Sequence, residues 1–147
     1  MRTLVTFEST TFNTKDSREH FINPNNFGDD VAQWLAGRLR NAGLQVDEKI
    51  GQEDFGWYLE FQVPEGQHCV IVGFRPEDPA PGGCWITWLE RSRGLVASLL
   101  GGRKRGIAGS AVLALHAALQ APEIRNVRWH EQKDFDALRE ELGTPTP

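Results

Sequence analysis

The residues of this 147-residue chain whose types and spacing could do chemistry begin with a crowded stretch, GQEDFGWYLEFQ at 51–62, where two acids, a glycine and three aromatics, the run EDFGWY at 53–58, lead into a strand-like segment. Glu53 and Asp54 are adjacent, so on a strand they point to opposite sides and cannot serve one site as a carboxylate pair. In a turn they could converge, with Asp29, Asp30 or Glu60 as further oxygen ligands for a cation. A polar turn leading into a buried strand explains them as well.

Among the histidines, His130 stands beside Trp129 and Glu131 at a strand end, where clefts open and a carboxylate can tune an imidazole. His116 lies inside an apolar helical run and reads as a helix residue. No GxSxG elbow and no Cys–His signature supplies a nucleophile. Cys69 and Cys84 form no CxxC pair and no zinc spacing, so neither a metal nor a cofactor is expected. GGRKRGIAGS at 101–110 puts Arg103, Lys104 and Arg105 before a helix start, an arrangement able to hold an anion. Ile107 and Ala108 stand where a nucleotide loop needs Lys and Ser or Thr, which leaves a general anion contact or a solvated loop.

Charge separates further classes. Residues 1–90 carry 14 acids against 7 bases, residues 91–130 carry 1 against 7, and residues 131–147 carry 5 against 2. An acidic body does not suit a duplex nucleic-acid binder. It suits a basic protein partner. No apolar run reaches the length of a membrane span and the first residues lack the pattern of a signal peptide, so the expected location is the cytoplasm.

The elements that must position these residues follow from periodicity. TLVTFES at 3–9 alternates as a strand. Phe27, Val31, Trp34, Leu35, Leu39 and Ala42 recur at helical spacing, which predicts a helix over 28–42 with Asn26 as N-cap, acids in its first turn and Gly43 as its stop. Strands are expected at 44–50, 56–63, 68–75, 84–90 and 124–130, helices within 94–121, and a final helix capped by Asp134 with Phe135, Leu138 and Leu142 on one face.

Treating the links after 63 and 75 as hairpin turns pairs 63 with 68 and 75 with 84. One face then collects Trp57, Leu59, Phe61, Val70, Val72, Phe74, Trp85 and Leu89. That register also sets Cys69 and Cys84 at opposite ends of neighbouring strands, about 20 Å apart, so they should not bridge. The sum is one α+β domain over 1–143, a two-layer sandwich of a mostly antiparallel sheet with helices on one face, and a loose tail at 144–147.

The reverse face carries Tyr58, Glu60, Gln62, Ile71, Ile86 and Trp88, more apolar than a solvated face requires. With Glu53 and Asp54 at its approach, Tyr58, Glu60, Ile71, Ile86 and Trp88 make the expected partner-binding set, because Tyr and Trp supply large contact area in interfaces.

The stretch FGDDVAQWLAGRLRNAGLQVDEKIGQEDFGWYLEF at 27–61 resembles a pattern in small uncharacterised bacterial α+β proteins, an FGxDxAxWL helix followed by an acidic GW strand. In size and charge the chain is similar to immunity proteins that neutralise bacterial toxins. That resemblance implies a non-enzymatic inhibitor acting through an acidic surface. Two alternatives stay open: a small-ligand or enzymatic pocket near His130 and the basic loop 101–106, and a homodimer built through the reverse face in place of a monomer.

Overall fold

A computed structural model describes residues 1–76, 83–92 and 106–147. Most of the expected link at 76–83, the part of the expected helical region 94–121 that precedes residue 106, and the basic residues Arg103, Lys104 and Arg105 fall outside the described residues. The described chain forms β1 (Leu4–Glu8), α1 (Asp29–Asn41), β2 (Gln45–Val46), β3 (Gly51–Glu53), β4 (Gly56–Val63), β5 (Gly66–Arg75), β6 (Cys84–Arg91), α2 (Gly109–Ala118), β7 (Arg125–His130), α3 (Gln132–Asp136) and a 3-10 turn (Glu140–Leu142). The seven strands make one antiparallel sheet in the order β2-β4-β5-β6-β1-β7, with β3 also paired to β4. The architecture is α+β, a single-domain sandwich of sheet and helices. Among the described residues no helix is long and apolar enough to cross a membrane.

Helix α1 exists because one stripe of it is apolar. Val31, Ala32, Leu35, Ala36 and Leu39 are buried at three- and four-residue steps, and each large side chain so covered contributes about 1.5–3 kcal/mol. Its start differs from the expectation. The N-cap is Gly28 at φ 128°, and a Cβ there would press at 3.3 Å on both Trp57 and Val72. Asn26 is drawn away from capping: its Nδ2 donates to Gln52 Oε1 at 2.8 Å and to the Glu53 carbonyl at 3.1 Å, while its own carbonyl accepts from Trp57 Nε1 at 2.7 Å. The helix ends as expected, Leu44 N–H donating to the Leu39 carbonyl and Gly43 N–H to that of Arg40.

The expected strand at 44–50 is only Gln45–Val46, and a further short strand, β3, closes the other half of the β4 edge. The β5–β6 pairing is the one implied by the turns, Arg75 opposite Cys84. The β4–β5 pairing differs by two residues: Val63 faces Gly66, not His68. Pro64 and Glu65 alone make that turn, and Gly66, at φ 128°, already belongs to the strand. A shift of two preserves which face each side chain takes. The core is therefore the expected one, with Trp57, Leu59, Phe61, Val70, Val72, Trp85 and Leu89 packed beneath α1 and α2 together with Val5, Phe7, Leu115 and Trp129. Cys69 lies opposite Glu90 and Cys84 opposite Arg75, six positions apart along neighbouring strands.

Two histidines serve this packing, His68 buried and His116 half-buried. His68 donates from Nδ1 to the Gly66 carbonyl at 3.0 Å and accepts at Nε2 from the Ala108 backbone N–H at 3.1 Å, which fastens the start of α2 to β5. His116 accepts at Nδ1 from Trp129 Nε1 at 3.1 Å, the helix role expected of it.

The C-terminal part departs most from its expectation. The last helix is five residues long, begins at Gln132 after Glu131 as N-cap, and gives way at Leu138, whose φ of 59° no continuous helix allows. Asp134 does not cap it and pairs with Arg139 instead. Leu138 is 84% exposed, and Leu142 is exposed too, so the expected apolar face is dissolved; only Phe135 packs, against His130 and Arg75. Beyond it, Thr144 exchanges two backbone hydrogen bonds with Trp129, so the tail expected to be loose is anchored at its first residue.

Candidate functional site

On the face of the sheet turned away from α1 and α2, the registers align one row of side chains across six strands. It runs His130 on β7, Leu4 on β1, Trp88 on β6, Ile71 on β5, Tyr58 on β4 and Gly51 on β3. A second row beside it holds Glu90, Cys69 and Glu60. Neighbouring strands stand about 4.8 Å apart, so each row is a continuous band of side chains.

The central part of this band is a groove of about 500 Å³ lined by Glu53, Phe55, Tyr58, Glu60, Cys69, Ile71, Trp88, Glu90, Arg91 and Ser92. Ile71 lies at its base and is only 3% exposed. The Asp54–Phe55 turn of the β3–β4 hairpin carries Phe55 over the sheet, its ring centroid 5.8 Å from that of Trp88. Phe55 is nonetheless 53% exposed, an apolar surface offered to solvent at the mouth of the groove.

Two glycines make room for side chains on this face. A Cβ on Gly51 would lie 2.0 Å from Tyr58 Cζ, so the Tyr58 ring rests on bare backbone. A Cβ on Gly73 would meet Ile86 Cγ2 at 3.1 Å, so Ile86 leans over that glycine beyond the groove.

The acidic end of the groove is held by neutral donors. Ser92 Oγ donates to Glu60 Oε1 at 2.9 Å, Gln67 Nε2 donates to Glu60 Oε2 at 3.2 Å, and Trp88 Nε1 donates to Glu90 Oε1 at 3.1 Å. Glu60 is thus fixed in place by two hydrogen bonds, neither of which comes from a cation. Among the described residues no cation pairs with Glu60, and a fixed carboxylate of that kind beside aromatic faces attracts a cation that carries apolar bulk.

Of the partner-binding residues expected from sequence, Glu53, Tyr58, Glu60, Ile71 and Trp88 come together here. Asp54 sits on the exposed turn and Ile86 lies to one side; neither lines the groove. Phe55, Glu90 and Ser92 line it although the sequence reading passed over them. Phe55 sits in a turn, and the direction of a turn side chain is set by hairpin geometry that alternation does not report. Glu90 and Ser92 follow from extending β6 outward at period two.

His130 occupies the opposite end of the same face. It is 3% exposed, shares a 2.8 Å hydrogen bond between Nε2 and Thr6 Oγ1, and stacks edge-on with Phe135 at 5.4 Å. Burial pushes its pKa down; Glu140 pulls it back up, while Arg128, Arg75 and Arg2 push the same way as burial. Glu140 is clamped by both terminal nitrogens of Arg75 at 2.7 and 2.9 Å, and those bonds hold its carboxyl below the ordinary range. The cavity here, about 360 Å³, is lined by Thr6, Glu8, Cys84, Asn126, Arg128, His130, Glu140 and Glu141.

Among the described residues no group of three or more His, Cys, Asp or Glu side chains is placed to hold a metal ion. In comparison with known proteins, no family model matches this chain, and searches of curated proteins and of solved structures find no significant match.

Proposed function

We propose that the protein is a non-enzymatic binding module that docks a basic, partly apolar segment of another protein in the groove on the reverse face of its sheet. The observation that carries this reading is Glu60, held by Ser92 and Gln67 and, among the described residues, in no ion pair, beside Tyr58, Trp88 and the exposed Phe55. An acidic body over residues 1–90 adds long-range attraction for a basic partner. An inhibitor of the immunity type, masking a basic surface of a toxin in the cytoplasm of a bacterium, is the role this chemistry fits best.

A peptide-display selection tests it. Enriched sequences should combine basic with apolar residues, and they should lose binding to a Glu60→Gln, Trp88→Ala double variant that keeps the wild-type circular dichroism. Enriched peptides that bind the double variant equally well would place the interaction elsewhere. Sedimentation at tens of micromolar belongs to the same test, since a homodimer through this face predicts a dimer and the docking reading a monomer.

A small-ligand site is favoured by one separate observation, the cavity in which Thr6 and His130 share a hydrogen bond. A ligand seated there would shift the His130 ring resonances in NMR, and Thr6→Val would abolish the shift. Unchanged resonances across a metabolite collection would remove this reading.

A further inference from the structure

The docking groove has a chemical preference built into it, an inference that rests on the reading above and sharpens it. We infer that its acidic half is a receptor for a single arginine side chain of the partner, with the guanidinium paired to Glu60 and laid against the aromatic walls of Tyr58 and Trp88.

The argument starts from the strand register. Tyr58 on β4 and Trp88 on β6 both lie directly opposite Ile71 on β5, so the two rings flank one residue, with backbones about 10 Å apart. Ile71 between them is almost wholly covered, so the methylene stem of a long side chain would lie along the rings of Trp88 and the exposed Phe55. One position further along the same face, Glu60 and Glu90 flank Cys69 in the same way. A side chain entering along β5 therefore meets aromatic walls first and carboxylate second. That is the order of groups along arginine itself.

The state of Glu60 decides between ligand classes. Its two oxygens accept one neutral hydrogen bond each, from Ser92 and Gln67, which sets the plane of the carboxylate while each oxygen keeps a further acceptor site. A planar fork of donors fits two parallel acceptor sites; an ammonium fits them as a point charge and gains nothing from the orientation. Guanidinium also stacks on aromatic faces and is less strongly hydrated than ammonium. An anion or a neutral apolar ligand would leave the fixed charge of Glu60 uncompensated. The groove, about 500 Å³, exceeds one side chain, and Phe55 at its mouth provides for the apolar neighbours of the arginine.

The test uses the indole Nε1–H resonance of Trp88, assigned by its loss in Trp88→Phe, with blocked tripeptides Gly-Arg-Gly, Gly-Lys-Gly and Gly-citrulline-Gly as probes. The arginine peptide should shift it saturably at millimolar concentration, the lysine peptide at least about 5-fold more weakly, and the uncharged citrulline peptide not at all. Glu60→Gln should abolish the arginine response while the rest of the amide spectrum stays dispersed. Equal responses to arginine and lysine would overturn the arginine preference and leave the acidic groove as a general cation site. A citrulline response equal to that of arginine would overturn the role of Glu60. No response to any tripeptide, combined with display-selected peptides that still depend on Trp88, would overturn this inference and leave the docking reading standing.

Discussion

Ser92 Oγ donates to Glu60 Oε1 at 2.9 Å, from the residue just beyond β6 across β5 to the middle of β4. The bond spans three strands and orients a carboxylate toward a groove walled by aromatic rings, so Ser92 acts on binding through Glu60. Ser92→Ala should leave the denaturation midpoint almost unchanged, since the site is partly exposed, and should weaken a basic peptide about 3- to 10-fold by letting the carboxylate turn. Calorimetric titration beside a urea melt separates the two effects. Unchanged affinity would mean that Glu60 does not need this support.

Gly51 and Gly37 provide a matched pair. A methyl at Gly51 would collide with Tyr58 at 2.0 Å, whereas one at Gly37, on α1, meets nothing within 4 Å. Gly51→Ala should displace Tyr58, lower stability by about 1–3 kcal/mol and reduce peptide binding. Gly37→Ala should stabilise the protein by about 0.5–1 kcal/mol, because alanine suits a helix interior better than glycine, and leave binding alone. Denaturant melts and peptide titrations of both variants check the contrast.

Stability should depend on pH through two imidazoles. Burial pushes the pKa of both His68 and His130 down, and His68 Nε2 is already occupied as an acceptor for Ala108 N–H. The unfolded chain therefore binds a proton more readily at these positions than the folded one. Their contribution is whole above the ordinary histidine pKa of about 6.5 and declines as pH falls below it. Glu140 has the same sign in a lower window, near and below the ordinary carboxylate range, because Arg75 holds its carboxyl down. Urea midpoints at pH 7.5 and 5.5 should differ in the wild type and differ less in His68→Gln, even though that variant is less stable at both.

Leu138 stands at φ 59° with its side chain 84% in solvent. Left-handed backbone costs a side-chain-bearing residue about 1–2 kcal/mol, while glycine gives back about 0.4–1 kcal/mol through the unfolded chain. Leu138→Gly should therefore be neutral or stabilising by up to about 1 kcal/mol. A clear loss in a thermal melt would mean that the leucine makes contacts absent from this structure.

These features were legible to different degrees. Helix α1 could be read because its apolar period is uninterrupted, and the two faces of the sheet because alternation survives a register error of two residues. Strand β3 could not: Gly51, Gln52 and Glu53 have no strand preference of their own, and the edge of β4 recruits them. The break at Leu138 was equally hidden, since the spacing of Phe135, Leu138 and Leu142 is helical while Arg75 draws Glu140 to the sheet. Of the groove, the residues on strands were recoverable by counting in twos from Tyr58. Phe55 was not, because a turn residue obeys no period.

The most direct test of the groove is calorimetric titration of the tightest display-selected peptide against two variants that each remove one negative charge. Glu60→Gln removes it in the groove; Asp16→Asn removes it in the β1–α1 loop, whose Phe12 packs on Trp34 and Trp85 beneath the other face. Docking in the groove predicts at least about a 10-fold loss for Glu60→Gln and less than about a 2-fold change for Asp16→Asn. Equal losses in the two variants would show that the peptide responds only to overall charge and would contradict the assignment of the groove.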